Sequence, residues 1–258
     1  MIGSDRILVL GGTAEARELA GALHGAGMDV VSSLAGRVAR PRLPPGEVRV
    51  GGFGGPDALA RWLLDGRITI VLDATHPFAE RISASAARAC AETSVPLLRL
   101  ERPGWSERPG DRWCWTDTLE RAAAEIPRLG RRVLLTTGRQ GLAAFAAVPD
   151  TWFLVRCVDA PAPPLPRRHE LVLDRGPYTV AGELGLIDRH RVDLVVTKDS
   201  GGRHTEAKLD AARERGLPVI VVCRPSRPEV ETVHTTHDAL AWVALLAGLD
   251  LGSPAQAG

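Results

Sequence analysis

The segment LVVTKDSGG, residues 194–202, places two ionisable side chains directly after a short apolar run. Lys198 is one of only two lysines among the 32 lysines and arginines of the chain. A lysine is a compact donor whose proton affinity shifts on burial, and the adjacent Asp199 can accept a hydrogen bond or shuttle a proton. Because neighbours in an extended loop point apart, one could face a cofactor and the other a substrate. The alternative is an ordinary surface loop.

A glycine turn follows the first apolar run, in LVLGGTAEARELA. Gly11 and Gly12 would make the turn, and Thr13 could cap the helix that begins near Ala14. Bare glycines let a phosphate approach the backbone, and a helix N-terminus offers free N–H groups to it. The segment lacks the full G-x-G-x-x-G fingerprint. A tight strand-to-helix turn without a ligand is therefore the alternative.

The segment SSLAGR, residues 32–37, contains no acidic residue. In NAD-binding domains an acid about 20 residues after the glycines holds the ribose 2′-hydroxyl. Ser32, Ser33 and Arg37 instead suit a 2′-phosphate, so a bound dinucleotide would be NADP rather than NAD. The alternative is that Arg37, Arg40 and Arg42 are solvated surface charges.

Three further strand ends carry polar residues. In DATHPF, Pro77 suits a first helical position and directs His76 away from helical geometry, towards a cleft, where His76 could contact a cofactor or act as an acid. A structural cap is the alternative for His76. In the second half, TTGRQG places Arg139 at a predicted helix start, where it can fork onto a carboxylate or phosphate. GPYTVAG places Tyr178 and Thr179 at the mouth of another helix.

Alternating strand and helix patterns must position these ends. Several strand candidates are continuous Val, Ile and Leu runs, as in parallel sheets buried on both faces. The alternation predicts a doubly wound α/β architecture, in which ligands bind beyond the carboxyl ends of the strands. The predicted strands are 6–10, 29–33, 47–50, 68–72, 95–99, 132–136, 152–156, 169–173, 193–197 and 218–222, and the predicted helices are 14–25, 56–65, 78–93, 117–126, 179–189, 203–215 and 236–247.

The bulk composition narrows the function classes. The chain has 258 residues and 45% hydrophobic content. Its net charge is only +1, so the whole protein has no electrostatic field that would attract nucleic acid or a membrane. Neither a signal-peptide pattern nor an apolar run of membrane-spanning length is present, which predicts a cytoplasmic protein that binds neither membrane nor nucleic acid. The four cysteines lack metal-ligand spacing, and His234 and His237 have no evident third ligand, so no metal site is predicted.

The strand series divides into two halves. Residues 101–115 are rich in Pro, Gly and Trp and interrupt the rhythm, and a new series begins near Arg131. We therefore predict an N-terminal domain over residues 1–128, a C-terminal domain over residues 129–250 and a tail over residues 251–258.

Taken together, the strand ends resemble those of the precorrin-6A and cobalt-precorrin-6A reductase family of cobalamin biosynthesis. Seven stretches carry the resemblance in the family's order, from residue 8 to residue 222. They are LVLGGTAEAREL, SLAGR, DATHPFA, RLERPGW, LLTTGR, GPYTVAGELGLI and VVTKDSGGRHTEAKLDAARERGLPVIVV.

The resemblance implies two Rossmann-like domains with parallel sheets flanked by helices and an active site in the cleft between them. It implies NADPH-dependent reduction of a tetrapyrrole, with hydride added at C19 and a proton at C18, by a monomer or small homo-oligomer. NADPH would lie mainly on the N-terminal domain and the substrate on the C-terminal domain. Whether the substrate carries cobalt stays open.

The resemblance also implies roles for individual residues. Asp199 is the predicted proton donor, Lys198 would position the substrate or neutralise charge, and His76 completes the predicted catalytic set. The predicted cofactor residues are Gly11, Gly12, Thr13, Ala14, Ser32, Ser33, Arg37, Thr75, Pro77, Phe78, Gly138 and Arg139, and the predicted substrate residues are Tyr178, Thr179, Ser200 and Gly201.

The residues alone are also compatible with two other classes of function. A nucleotide-binding regulatory module would keep the glycine turn and Arg37 but would not need Lys198 and Asp199 at a second ligand. A non-redox transferase could use two such domains for a nucleotide-linked donor. Only a reductase would consume NADPH when the tetrapyrrole is added, so NADPH consumption distinguishes a reductase from these two classes.

Overall fold

The computed structural model describes residues 5–36 and 42–248, with only the backbone of His204. Two predictions fall outside these residues: the role of Arg37 and the tail over residues 251–258. The chain divides into two compact units. Unit 1 comprises Met1–Arg102 and Ser226–Gly258, and unit 2 comprises Pro103–Pro225.

The first part of unit 1 alternates strands and helices. Thr13 caps the first helix by accepting a hydrogen bond from the Ala16 N–H, and Pro56 occupies the first position of the second helix, where no N–H is needed. The elements are β1 (Arg6–Leu10), α1 (Ala14–Gly25), β2 (Asp29–Leu34), β3 (Glu47–Val50), α2 (Pro56–Asp65), β4 (Ile70–Asp73), α3 (Glu80–Thr93) and β5 (Leu97–Leu100).

Unit 2 repeats the alternation. Thr118 and Thr179 cap two of its helices through their hydroxyl groups. The elements are β6 (Trp113–Thr116), α4 (Leu119–Leu129), β7 (Arg132–Leu135), β8 (Trp152–Cys157), β9 (His169–Leu173), α5 (Val180–His190), β10 (Leu194–Lys198), α6 (Ala207–Glu214) and β11 (Val219–Val222), with 3₁₀ helices at Leu142–Phe145 and Arg203–Thr205.

The chain then returns to unit 1 with β12 (Thr232–Val233) and α7 (Thr236–Ala247). Unit 1 has the strand order β12-β5-β4-β1-β2-β3, and unit 2 has the order β6-β11-β10-β7-β8-β9. In both sheets the first strand of the main series lies beside the second and the fourth. This is the strand order of dinucleotide-binding folds, with the switch point beyond that first strand.

Both sheets are parallel, and their central strands are buried on both faces. In unit 1, Ile7 and Val9 of β1 pack against α1 and α7, whereas Leu8 and Leu10 pack towards α2 and α3. Because β1 is covered by helices on both faces, its sequence is a nearly continuous apolar run. Because parallel strands end at the same edge, each unit collects its strand-end loops along one carboxyl edge.

The predicted fold class of two α/β domains with parallel sheets flanked by helices is confirmed. The ten predicted strands and seven predicted helical segments are present, with ends shifted by up to a few residues. The strands β6 and β12 were not predicted. The predicted domain boundary at residues 128 and 129 does not coincide with the division between the units, because β6 pairs with β11 of unit 2 and β12 pairs with β5 of unit 1.

Candidate functional site

Three strand ends of unit 1 are tied together at its carboxyl edge. The Gly11 N–H donates to the Ser33 carbonyl at 3.0 Å, which joins the ends of β1 and β2. The Ala74 N–H donates to the Leu10 carbonyl at 3.0 Å, and the Thr13 hydroxyl donates to the Ala74 carbonyl at 2.9 Å. The predicted residues near Gly11, Ser33 and Thr75 therefore lie at one site in unit 1.

The glycine turn leaves open space at the start of α1. Gly12 has a φ of +114°, which favours glycine, and a Cβ built there would meet no atom within 4 Å. Thr13 is buried, and its hydroxyl oxygen accepts from the Ala16 N–H at 3.0 Å. The backbone of this turn is therefore accessible next to the positive end of the helix dipole, as an anion site requires.

A buried carboxylate holds the loop that follows β4. Asp73 Oδ1 accepts from the Thr75 hydroxyl at 2.6 Å and from the Thr75 N–H at 3.2 Å. Asp73 Oδ2 lies 3.5 Å from Nε of Arg99, and both side chains are almost fully buried. The predicted cofactor residue Thr75 is thus fixed by Asp73, which sequence reasoning placed at this strand end without giving it a role.

His76 has a defined ring orientation. The Phe78 N–H donates to His76 Nδ1 at 3.2 Å, so the proton of the neutral ring lies on Nε2. The two rings are 5.8 Å apart and tilted. One expectation about this loop was wrong: α3 begins at Glu80, so Pro77 lies in the preceding turn and not at the first helical position. The backbone of this turn forms hydrogen bonds to His76, so the helix begins only after the turn.

Two serines and an arginine occupy the ends of β2 and β3. Ser32 and Ser33 are both buried, and the Ser32 hydroxyl has no hydrogen-bond partner among the described residues. Such an orphaned hydroxyl is the kind of group that a ligand or a water satisfies. Arg49 of β3 lies 3.3 Å from the Ser33 hydroxyl. Arg49 was not among the predicted site residues, and its only sequence signal was a charge inside a short strand.

In unit 2, the carboxylate of Asp199 has a partner at each oxygen. Oδ1 accepts from the Trp105 N–H at 3.0 Å, and Oδ2 lies 3.1 Å from Nε of Arg224. A Cβ on Gly104 would come within 2.6 Å of Oδ2, so a glycine is needed for this approach. Asp199 is therefore held in one orientation by residues distant in sequence.

The rest of the loop after β10 is also closely supported. The Lys198 carbonyl accepts from the Ser200 N–H at 2.7 Å, and Gly201 has a φ of +62°. The Trp105 indole donates to the Gly202 carbonyl at 3.3 Å, and the buried Lys208 ammonium lies 4.4 Å from the Trp105 ring centroid. Trp105, which was not among the predicted site residues, supports the predicted catalytic loop.

Tyr178 and Thr179 border a pocket of about 250 Å³ at the start of α5. Beside them, Arg156 and Glu183 form an almost fully buried ion pair at 2.5 Å. The Arg156 guanidinium carbon lies 3.9 Å from the Tyr178 ring centroid. Burial raises the pKa of the Tyr178 hydroxyl, and the positive charge of Arg156 opposes this shift. The ion pair therefore fixes the wall of the pocket.

Gly138 and Arg139 follow β7, next to β10 in the sheet, and Gly138 has a φ of +78°. A 3₁₀ helix at Leu142–Phe145 follows them, so the predicted helix start at Gly-Arg was wrong. Gly141 precedes this helix with a φ of +87°. All predicted residues of unit 2 lie at strand ends or at the N-terminus of α5, along its carboxyl edge.

None of the helices in residues 5–36 and 42–248 is long and apolar enough to cross a membrane. Among the side chains that the structure describes, His, Cys, Asp and Glu form no group of three or more that could hold a metal ion.

The chain is similar to known proteins over nearly its full length. The family model for precorrin-6x reductase CbiJ/CobK matches residues 6–244. A precorrin-6A reductase of Rhodococcus erythropolis is 51% identical over 243 residues, covering 93% of this chain and 98% of that protein. A cobalt-precorrin-6A reductase of Salmonella typhimurium is 33% identical over 233 residues, covering 85% and 88%.

A solved structure of a CobK precorrin-6A reductase superimposes with a TM-score of 0.89 at 42% identity, covering 95% of this chain and 98% of that one. The predicted resemblance is thereby confirmed by sequence and by structure. The chain belongs to the precorrin-6x reductase family CbiJ/CobK.

Proposed function

We propose that this chain reduces the macrocycle of precorrin-6A, or of its cobalt-containing form, in cobalamin biosynthesis, with NADPH as reductant. Hydride would be added at C19 and a proton at C18. The observation that supports the cofactor most directly is the glycine turn of unit 1. It leaves open space at the N-terminus of α1, at the switch point of the sheet, and the end of β2 carries serines and no acid.

The residues of unit 1 fit a bound dinucleotide. The backbone of Gly11, Gly12, Thr13 and Ala14 would hold the pyrophosphate, since the N–H groups at a helix start suit an anion. Ser32 and Ser33 would hold the adenosine 2′-phosphate together with Arg37, which lies outside the described residues. The nicotinamide side would be lined by Thr75, His76, Pro77 and Phe78. When bound, NADPH supplies the hydride, and the protein supplies orientation and charge.

Unit 2 would bind the polycarboxylate substrate. Gly138 and Arg139 would meet the cofactor or a substrate carboxylate, and Tyr178, Thr179, Ser200 and Gly201 would line the substrate. Lys198 would neutralise a carboxylate or position the ring. We assign proton delivery to Asp199, whose carboxylate is oriented by Trp105 and Arg224 and would take up a proton from solvent before passing it to C18.

A turnover assay tests the activity. Purified protein, NADPH and metal-free precorrin-6A are mixed, and the absorbance of the reduced nicotinamide is followed, with cobalt-loaded substrate in a parallel assay. A reductase consumes NADPH only when the tetrapyrrole is present. A regulatory nucleotide-binding module would change the fluorescence of bound NADPH without consuming it, and that result would remove the proposed activity.

Substitution of the glycine turn tests the cofactor site. Gly12→Val places a side chain in the open space at the start of α1, so we expect the Kd for NADPH to rise about tenfold or more through lost phosphate contacts. Gly27→Val is the matched control, because Gly27 also has a positive φ, of +81°, and open space, but lies just after the other end of α1. Both variants should lose about 1–3 kcal/mol of stability from backbone strain. Equal affinities for NADPH in the two variants would contradict the assignment.

A further inference from the structure

Arg49 is held rigidly although it lies in a short strand near the surface. Its Nη1 donates to the Gly51 carbonyl at 2.7 Å, and its Nη2 donates to the Gly52 carbonyl at 2.9 Å. The guanidinium carbon lies 3.7 Å from the ring centroid of Phe53. The guanidinium is thus clamped between two carbonyls and an aromatic face, with little rotamer freedom left to lose on binding.

The charge of Arg49 is not compensated by the part of the chain that the structure describes. Its hydrogen-bond partners there are two carbonyls and the Ser33 hydroxyl, and no carboxylate forms an ion pair with it. Burial lowers the pKa of the Arg49 guanidinium, which reports partial loss of solvation. A partly desolvated cation that pairs with none of the described carboxylates favours the binding of an anion.

Unit 2 offers a direct comparison. Arg156 of β8 also lies over an aromatic ring, that of Tyr178, and β8 holds the place in its sheet that β2 holds in unit 1. There, however, Glu183 neutralises the guanidinium at 2.5 Å. A carboxylate neutralises the buried Arg156, whereas none of the described carboxylates pairs with Arg49, which is only partly buried.

The position of Arg49 indicates which anion it would bind. Arg49 and Ser33 are paired in register on β3 and β2, so their side chains lie on the same face of the sheet at its carboxyl edge. In this strand order, the end of the second strand is where the adenosine ribose of a dinucleotide lies. Nε of Arg49 makes no hydrogen bond to any described residue, which leaves it as a donor to a ligand oxygen.

We infer that Arg49 binds the 2′-phosphate of the cofactor and sets the preference for a 2′-phosphorylated nucleotide. The inference rests on the proposed function, since it requires NADPH to be the cofactor. It adds a cation that the sequence pattern did not indicate, on β3 and not in the segment that follows β2. Phe53 and the carbonyls of Gly51 and Gly52 pre-organise this cation.

Two small nucleotides test the inference without turnover. 2′,5′-ADP and 5′-AMP differ only in the 2′-phosphate, and each is titrated into the protein by calorimetry. In Arg49→Met, which keeps an unbranched side chain against Phe53, we expect the Kd for 2′,5′-ADP to rise about tenfold to a hundredfold, as for a lost charged hydrogen bond. The Kd for 5′-AMP should stay within about twofold, which also reports that the site is folded. Arg49→Lys should give an intermediate loss, since lysine keeps the charge but not the planar fork.

Arg61→Met is the matched control, because Arg61 is exposed on α2 and its removal changes the net charge equally. This variant should keep the wild-type preference. If Arg49→Met retains the preference for 2′,5′-ADP, the inference about Arg49 is overturned while NADPH remains the proposed cofactor. If the wild-type protein shows no preference for 2′,5′-ADP over 5′-AMP, the proposed cofactor itself fails, and the inference fails with it.

Discussion

Asp199→Asn is expected to lower kcat about a hundredfold or more, while the Kd for NADPH changes by less than about twofold, as for loss of a general acid. The asparagine amide can still accept from the Trp105 N–H through its oxygen, but it cannot deliver a proton. Single-turnover kinetics with saturating NADPH measure the reduction step, and fluorescence titration measures the cofactor affinity. Unchanged turnover would remove Asp199 from the mechanism.

A second variant distinguishes chemistry from positioning at Asp199. Arg224→Met breaks the 3.1 Å ion pair but leaves the carboxylate and its bond from Trp105 in place. If Asp199 delivers the proton, Arg224→Met should lower kcat much less than Asp199→Asn. If both variants lower kcat equally, Asp199 acts by ordering the loop that carries Lys198.

Glu183→Ala is expected to destabilise unit 2 by about 3–5 kcal/mol, because it leaves the Arg156 guanidinium buried without a counter-charge. Arg156 and Glu183 have side-chain exposures of only 6% and 1%, so the guanidinium depends on Glu183 for its counter-charge. Urea denaturation followed by tryptophan fluorescence measures the loss. The double variant Arg156→Met/Glu183→Ala should recover much of it, because both charges are then absent.

An exposed ion pair provides the control for this prediction. Asp188 pairs with Arg215 at 2.8 Å, and the two side chains are 53% and 36% exposed. Asp188→Ala should move the urea midpoint far less than Glu183→Ala, since exposed pairs are well solvated when broken. A similar shift in both variants would show that burial of the Arg156–Glu183 pair is not the source of its stability.

The elements of this fold were largely predictable because its central strands are continuous apolar runs. β1, β4, β10 and β11 are buried on both faces, and threonine or proline residues mark several helix starts. The two missed strands are short edge strands. β6 reads WCWT within a Pro- and Gly-rich stretch, and β12 has only two residues, so neither gives a periodic signal. Their places in the sheets depend on pairing with distant strands.

The candidate site was predictable where it depends on local sequence. The glycine turn, the serines after β2 and the loop after β10 all follow strand ends, and the sheet order brings each set to one edge. The partners of these residues were not predictable. Trp105 lies 94 residues from Asp199 in sequence, and Arg49 meets Ser33 only because β2 and β3 pair in register. No local pattern encodes such contacts.

The division of the chain into two units affects how the protein folds during its synthesis on the ribosome. Unit 2 is a continuous insertion between β5 and β12 of unit 1, so it leaves the ribosome complete while the sheet of unit 1 still lacks its last strand. Until β12 has been synthesised, β5 has an unpaired edge, with which another strand of the nascent chain could pair wrongly. At about 5–20 residues per second, that exposure lasts several seconds or more. Premature termination within unit 2 would release this edge permanently.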